Sequence, residues 1–354
     1  MAKLIHIITT SRKATGIMEK RTPDLSALPI TLADIQQARE RIAPHFPPSQ
    51  IRHFPDLGDQ VYLKLECLNP TGSFKIRGAL NAMLSLDAES RERGVVTASS
   101  GNHAQGIAYA AHLLGVKARI YMPSTAPQKK SDGVRKYGIE PILFGARYDD
   151  AEAEALRVAR EEQITYVSPY NNRAVAAGQG TIGLEILDAL PDVERVIVPV
   201  GGGGLISGIA VAIKSLRPDV QIIGANAEES PEMFNIFYGE NRPCRGDILA
   251  DALPGAIEPD SITIPITRAL VYQIALVDEN ETQRAVRWMS KQHGIIVEGG
   301  GAVGIAVCRY AEYFMLPRGL KTAIVVSGGN IDADRLKYVL ERDSQTSADW
   351  WTGS

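Results

Sequence analysis

Cysteine is scarce in this sequence, and its distribution argues against a disulfide framework. Among 354 residues there are three cysteines, Cys67, Cys244 and Cys308, which are odd in number and lie far apart. Proteins that depend on disulfides for stability usually carry paired cysteines in a short secreted chain. The scarcity of cysteine therefore indicates a reducing compartment, and we expect a cytoplasmic protein.

The sequence also lacks an excess of charge of either sign. It contains 38 Lys and Arg against 41 Asp and Glu, for a formal net charge of −3. A nucleic-acid or anionic-membrane partner requires a basic surface, so neither partner is expected. None of the six histidines has a cysteine or acid at metal-site spacing, so a structural zinc ion is not expected.

Long uninterrupted apolar runs are missing as well. Residues 196–213 carry no charge and reach the length of a membrane span, but Pro199 and four consecutive glycines interrupt them. A strand, a turn and a helix explain this run better. The first residues contain an apolar patch without a small-residue cleavage site, so we predict a flexible extension at residues 1–28 rather than a secretory signal.

What the sequence does contain is a regular alternation of strand and helix patterns. Strands are predicted at residues 61–66, 94–99, 117–122, 140–144, 165–168, 195–200, 220–225 and 322–327. Helices are predicted at residues 31–42, 101–114, 128–137, 149–162, 180–189, 205–216, 281–292, 302–313 and 332–341. Alternation at this spacing predicts an α/β fold with parallel sheets and right-handed crossovers.

The stretch at residues 61–78 carries the most distinctive chemistry. After its strand and an Asn-Pro-Thr-Gly turn, Ser73 is expected to cap a helix whose first turn contains Lys75. The positive end of the helix dipole and partial burial should lower the pKa of Lys75, which frees the amine for Schiff-base chemistry. Taken alone, a lysine at a helix start is more often a surface side chain.

Three strand-to-helix turns are rich in glycine, serine and asparagine. Parallel sheets bind ligands at the carboxyl ends of their strands, where these turns lie. Residues 99–103 suit a carboxylate or phosphate, although a capped turn would explain them equally well. Residues 201–205 suit a phosphate but match neither the dinucleotide nor the P-loop pattern. Ser327 could meet a ring nitrogen or simply form a tight turn. Together with Lys75, these turns predict a pyridoxal phosphate site.

Five segments resemble the threonine/serine dehydratase and serine racemase group, which belongs to the tryptophan-synthase-β-like enzymes, fold type II of the pyridoxal phosphate proteins. They are residues 70–79 (PTGSFKIRGA), 99–106 (SSGNHAQG), 177–183 (AGQGTIG), 201–205 (GGGGL) and 327–330 (SGGN). The resemblance spans about residues 31–340. It implies two parallel-sheet domains, a large one at residues 29–85 and 175–342 and a small one at residues 86–174. A C-terminal tail is expected at residues 343–354, with no room for the regulatory domain of the biosynthetic threonine enzymes.

The resemblance also implies roles for single residues. Lys75 would carry the cofactor as a Schiff base, Asn102 would bond its phenolic oxygen and Ser327 its pyridine nitrogen. The expected cofactor contacts are Phe74, Lys75, Asn102, Gly201, Gly202, Gly203, Gly204, Leu205 and Ser327. The expected substrate contacts are Ser99, Ser100, Gly101, Asn102 and His103. Lys75 is the expected catalytic base, with Ser100 as a candidate second one.

The chain departs from the group's pattern at several positions. Residues 47–51 replace a usual Arg-Thr-Pro-Leu, Cys67 replaces an Asp or Asn, and residues 297–301 read Val-Glu-Gly-Gly-Gly instead of Val-Glu-Pro-Ser/Ala-Gly. Part of the group binds a divalent cation with an acid where this chain has Asn226, followed by Ser230 and Glu232. The need for a metal therefore stays open.

The predicted activity is elimination of water from a β-hydroxy amino acid to give a 2-oxo acid and ammonia. L-Threonine and L-serine are the first candidates, and 3-hydroxyaspartate and phenylserine the next. One alternative is an amino-acid racemase with side dehydratase activity, because Ser100 stands where the group's racemases have serine. A non-catalytic, amino-acid-binding regulatory protein is the second alternative. A homodimer or homotetramer is expected.

Overall fold

The computed structural model describes residues 24–245 and 248–341. The predicted tail at residues 343–354 and most of the predicted extension at residues 1–28 therefore lie outside the described residues. Within the extension, Leu25–Ala27 form a 3-10 turn capped by the Asp24 side chain. Leu25 and Leu28 pack against the hydrophobic core.

Most predicted helices lie within a few residues of observed ones, but Ala88–Arg93, Glu232–Tyr238 and Thr263–Leu270 are helices that the sequence patterns did not predict. Thr31 caps the first helix in a capping box with Asp34. The α-helices are α1 Leu32–Ile42, α2 Lys75–Leu84, α3 Ala88–Arg93, α4 Asn102–Leu114, α5 Gln128–Arg135, α6 Tyr148–Glu161, α7 Arg173–Ala189, α8 Gly204–Leu216, α9 Glu232–Tyr238, α10 Thr263–Leu270, α11 Glu279–His293, α12 Gly299–Arg309 and α13 Ala333–Glu341.

The strands form two separate sheets. They are β1 Ile51–His53, β2 Val61–Leu65, β3 Val95–Ala98, β4 Ala118–Met122, β5 Ile142–Leu143, β6 Thr165–Tyr166, β7 Arg195–Pro199, β8 Gln221–Ala227, β9 Gln273–Val277 and β10 Thr322–Val326. A six-stranded sheet has the order β1-β2-β10-β7-β8-β9, and a four-stranded sheet has the order β5-β4-β3-β6. The predicted α/β class with two parallel sheets is confirmed.

Helices cover both faces of the large sheet, which explains its continuous apolar strands. In β10 all five residues are buried, with Ile324 and Val326 in one core cluster and Ala323 and Val325 in the other. Strands buried on both faces lose the apolar–polar alternation of a half-exposed sheet. Each fully buried aliphatic side chain of this kind contributes about 1.5–3 kcal/mol to folding.

Several local predictions are wrong. Strand β1 pairs antiparallel with β2, although only parallel pairing was predicted. The three glycines at residues 299–301 form the first turn of α12 rather than a separate turn. Helix α7 begins at Arg173, seven residues before the predicted start, because Asn172 caps it there by accepting a hydrogen bond from the Val175 N–H.

Ser73 does not cap α2, so this prediction is also wrong. The N-cap is Phe74, and the Ser73 hydroxyl is buried without a hydrogen-bond partner. Ser73 instead forms an isolated antiparallel bridge with Gly328, and the N–H of Phe74 donates to the Ser327 carbonyl at 3.0 Å. Pairing with the segment after β10 fixes the backbone at Ser73, and the helix begins at Lys75, one residue later than a helix capped by Ser73 would begin.

Candidate active site

Lys75 is the first residue of α2, and its amine is held inside the protein. The amine donates to the Pro169 carbonyl at 2.8 Å and lies 5.2 Å from the centroid of the Phe74 ring. Burial lowers the pKa of Lys75 to about 8, while the negative charge of Glu298 acts in the opposite direction. An amine with this pKa is partly neutral near physiological pH, as nucleophilic and base chemistry requires.

The carboxyl end of β10 meets the chain just before Lys75. The Gly329 N–H donates to the Gly72 carbonyl at 2.8 Å, alongside the bridge between Ser73 and Gly328. The Ser327 hydroxyl is buried and donates to the Gly300 carbonyl at 3.2 Å. The fold therefore brings Ser327 beside Phe74 and Lys75, which the sequence placed about 250 residues apart.

Asn102 connects two further segments. Its amide nitrogen donates to Glu298 Oε1 at 2.7 Å, and its amide oxygen accepts from Asn330 Nδ2 at 2.7 Å. Asn330 also donates to the Thr71 carbonyl at 2.7 Å. Three polar side chains from three turns thus form one network beside Lys75, in which Asn102 and Glu298 are buried.

Glu298 is a site residue that the sequence interpretation missed, although it lies in a segment noted there as unusual. It is 4% exposed. Burial and the charge of Asp251 raise the pKa of Glu298 to about 7, against the opposing hydrogen bond from Asn102. No local signal marks such a residue, because its partners lie far away in the chain.

We predict that Glu298→Gln makes the cofactor-free protein more stable above pH 7. A carboxyl whose pKa rises from 4.5 to about 7 on folding is fully favourable below pH 4.5, and this contribution is lost as pH rises through 7. The shift corresponds to roughly 3 kcal/mol, so wild type and variant should diverge between pH 4.5 and 7. Urea unfolding at pH 5 and pH 8 measures the difference; equal behaviour at both pH values would contradict a raised pKa.

The turn at residues 99–103 offers open space beside this network. A Cβ atom added to Gly101 would meet nothing within 4 Å, and Ser99 and Ser100 are partly exposed. The Gly101 N–H donates to Ser99 Oγ at 3.2 Å. Room for a ligand therefore exists where the sequence predicted a carboxylate.

His103, by contrast, is buried on the protein side of that turn. Its Nε2 donates to the Val167 carbonyl at 3.0 Å, while Nδ1 has no partner. Burial, with the charge of Lys75, lowers the pKa of His103 to about 3, so the ring is neutral. Its surroundings favour an orienting role over a charged substrate contact.

The glycine turn at residues 201–204 presents free backbone donors. None of its four N–H groups donates to another described residue, and Gly204 begins α8. Gly203 has φ +87°, and a Cβ atom there would lie 2.7 Å from Met233 Cε; at Gly202 it would lie 2.5 Å from the Tyr170 ring. Free N–H groups at a helix N-terminus bind phosphate well, so the turn fits a phosphorylated cofactor.

The Asn226 side chain hydrogen-bonds to three backbone groups next to this turn. Its amide nitrogen donates to the carbonyl oxygens of Val200 at 3.0 Å and Ser230 at 2.8 Å, and its oxygen accepts from the Phe234 N–H at 3.2 Å. Within the described ranges, no three His, Cys, Asp or Glu side chains are arranged to hold a metal ion.

Arg77 was quoted within a motif but given no role, and it proves to be structural. It makes paired hydrogen bonds of 2.6–2.9 Å to Glu66 on one side and Glu185 on the other. Lys64 also contacts Glu185, so two cations and two anions share one buried network. This network joins α2, which carries Lys75, to β2 and α7.

A lysine of lowered pKa among three glycine-rich turns of an α/β fold is the arrangement typical of pyridoxal phosphate enzymes. The comparisons agree with it. Residues 42–328 match the family described as pyridoxal-phosphate dependent enzymes, and the chain belongs to that family. Pyridoxal 5′-phosphate is its cofactor, and the free N–H groups, the Lys75 amine and the open space at Gly101 fit that group.

The similar proteins include an ammonia-lyase, a racemase and a deaminase that act on threonine or serine by name. The chain is 42% identical over 319 residues to an L-threonine ammonia-lyase of Thermotoga maritima, covering 88% of this chain and 79% of the relative. Maize serine racemase has a TM-score of 0.81 and 33% identity, covering 87% of this chain and 96% of that one. Threonine deaminase isoform 2 of Solanum lycopersicum has a TM-score of 0.78 and 33% identity, covering 87% and 93%.

Proposed function

We propose that this protein eliminates water from a β-hydroxy amino acid, L-threonine or L-serine first, to give a 2-oxo acid and ammonium. The observation that carries the proposal is the Lys75 amine, whose pKa is lowered to about 8 beside three ligand-binding turns. The threonine ammonia-lyase named above supports the reaction type. 3-Hydroxyaspartate and phenylserine remain candidate substrates.

Each predicted site residue has a proposed task. Lys75 binds the cofactor and accepts the Cα proton, with Phe74 packed beside the ring. Residues 201–205 hold the phosphate through backbone N–H groups, and the second amide hydrogen of Asn102 donates to the phenolic oxygen. The Ser327 hydroxyl would donate to the pyridine nitrogen of the cofactor.

The substrate carboxylate is proposed to bind at residues 99–103. Ser99 and Ser100 are partly exposed next to the open space at Gly101, while neutral His103 supports the turn from behind. The bound cofactor supplies an electron sink for the carbanion left when Lys75 takes the proton. Loss of the β-hydroxyl and hydrolysis of the product then give the 2-oxo acid and ammonium.

The domain limits and the cellular setting are also proposals. We place the large domain at residues 29–85 and 175–342 and the small one at residues 86–174, supported by the two separate sheets. The described helices include none that is long and apolar enough to cross a bilayer. Three cysteines without disulfides support a cytoplasmic enzyme. We also propose that the protein forms a homodimer or homotetramer. Light scattering on the purified protein tests this oligomeric state.

A keto-acid assay of the cofactor-loaded enzyme tests the reaction. Serine, threonine, 3-hydroxyaspartate and phenylserine are each supplied, and 2-oxo acid and ammonium are measured together. Equal amounts of both products from at least one substrate are expected. Absence of keto acid from every β-hydroxy amino acid tested would overturn the proposal.

Racemisation is a second candidate function, favoured by the position of Ser100. Its side chain is partly exposed at the open turn, and the maize serine racemase is among the similar structures. Racemisation needs a second acid/base on the face opposite Lys75. A serine hydroxyl there is a poor base unless its neighbours tune it.

We predict that Ser100→Ala separates the two functions. If Ser100 acts as a base, wild type forms some D-serine from L-serine, and the variant loses this activity while still dehydrating the L-isomer. Chiral chromatography measures both products, with Ser99→Ala as the neighbouring control. Keto acid without any D-isomer from wild type, and only a raised KM in Ser100→Ala, would show that Ser100 is a binding residue alone.

A further inference from the structure

Three tyrosines and two glutamates form a polar cluster that the proposed reaction does not use. The Tyr–Glu cluster consists of Tyr148, Glu152, Tyr166, Tyr170 and Glu258. Tyr148 and Tyr166 donate to the same oxygen, Glu152 Oε1, at 3.0 and 2.9 Å. Tyr170 donates to Glu258 Oε2. The cluster joins α6 and β6 of the small sheet to the loop that precedes α10.

The Tyr–Glu cluster is contiguous with all three parts of the candidate active site. The Tyr148 hydroxyl lies 3.4 Å from the carbonyl oxygen of Ala98, directly before the proposed carboxylate turn. The Tyr170 ring packs on the proposed phosphate turn, where a Cβ atom on Gly202 would clash with it. Pro169, the neighbour of Tyr170, accepts the hydrogen bond of Lys75. The cluster therefore forms a wall beside these three parts of the site.

The charge on this wall is not balanced by the protein. Neither Glu152 nor Glu258 forms an ion pair with a Lys, Arg or His among the described residues, unlike Glu66 and Glu185. Glu152 Oε2 and Glu258 Oε1 each lack a donor within the same part of the chain. Both side chains are partly exposed, so these oxygens remain accessible to a ligand.

The tyrosines experience this unbalanced charge. Burial raises the pKa of Tyr148, Tyr166 and Tyr170, and both glutamates raise each pKa further. The hydroxyls therefore stay protonated as donors, which holds each carboxylate in place and leaves its second oxygen for another donor.

We propose that the Tyr–Glu cluster binds a cationic group on the substrate side chain, so that the preferred substrate is a β-hydroxy α-amino acid with a second ammonium group. This inference rests on the proposed dehydration. An ammonium has three N–H donors and no acceptor, which matches two carboxylate oxygens without partners. A neutral methyl group, as in threonine, would leave both carboxylates uncompensated, and an anionic side chain would be repelled.

A substrate series on the cofactor-loaded enzyme tests the proposal. Threonine, 3-hydroxyaspartate, 4-aminothreonine and 3-hydroxyornithine present a neutral, an anionic and two cationic side chains of different reach. We expect kcat/KM for at least one cationic substrate to exceed that for threonine by tenfold or more. Glu152→Gln and Glu258→Gln should each remove most of this preference while changing kcat/KM for threonine less than threefold.

Binding without turnover gives a second measurement. 2,4-Diaminobutanoate and 2-aminobutanoate lack the β-hydroxyl and differ in one ammonium group. Calorimetric titration should show tighter binding of the diamine by about tenfold in wild type and equal binding in the two Gln variants. Glu161→Gln on the exposed side of α6 is the matched control, and thermal melting of each variant shows whether it folds.

The outcomes separate this inference from the proposed function. Turnover of threonine without preference for a cationic substrate, or a preference unaffected by either Gln variant, would overturn the cationic pocket and leave the dehydratase intact. An equal loss for all substrates would show that the cluster only holds the loop to the small sheet. No keto acid from any substrate, with equal binding of the two butanoates, would overturn both.

Discussion

Lys75→Ala is expected to abolish keto-acid formation, with a loss of about 10³-fold or more. We propose its amine both as the nucleophile that binds the cofactor and as the base that takes the Cα proton, so one substitution should remove both tasks. The N–H donors of residues 201–204 remain, so the cofactor should still bind through its phosphate, but without the visible absorbance of a Schiff base. Absorbance spectra and the keto-acid assay measure the two effects separately.

A matched control distinguishes chemistry from folding in that experiment. Lys117→Ala removes an exposed lysine between α4 and β4, and it should retain both the spectrum and the activity. The thermal stability of Lys75→Ala should be close to wild type, because desolvation of the amine is unfavourable and its loss is tolerated. Normal turnover in Lys75→Ala would contradict the assignment of the site as a whole.

Arg77→Met should destabilise the protein by about 3–5 kcal/mol, although the side chain touches no proposed ligand. Its guanidinium is 1% exposed and lies between Glu66, which is 0% exposed, and Glu185. Although burial alone would raise the pKa of Glu66, the charge of Arg77 and its hydrogen bonds hold that pKa below the ordinary value. Removing Arg77 leaves a buried carboxylate without its main partner.

Urea unfolding of the cofactor-free protein measures this loss. Arg91→Met, on the exposed face of α3, is the control and should change stability by less than about 0.5 kcal/mol. The double variant Arg77→Met with Glu66→Gln should recover part of the loss, because the uncompensated charge is then gone. A loss below about 1 kcal/mol in Arg77→Met would show that the network is not needed to hold α2 in place.

Most of the fold could be predicted because its signals are local. Strand and helix periods, together with glycine turns, place the β3–α4, β7–α8 and β10 segments within a few residues of their observed limits. The errors occur where a contact with a distant segment determines the local structure. Ser73 would cap a helix if its neighbours alone mattered, but pairing with Gly328 fixes its backbone.

The residues of the candidate site also fall into those that local sequence signals identify and those that they do not. Lys75, Gly203 and Gly101 were identifiable because a lysine at a helix start and glycines at strand ends are visible in short segments. Glu298 was not, because its raised pKa arises from burial and from Asp251, and its hydrogen bond comes from a residue 196 positions away. No periodicity encodes a contact of that range.

The sequence by itself determined the α/β class, most of its strands and helices, the lysine at a helix start and the glycine-rich turns, since each depends on backbone preferences within a few residues. Only the tertiary structure decided which of these segments meet and which charges remain without partners. Arg77 pairs with Glu185 at a separation of 108 positions, whereas Glu152 and Glu258 contact tyrosines but pair with no cation among the residues that the structure describes. Packing of the two sheets sets these pairings, because burial and charge compensation depend on neighbours in space rather than in sequence.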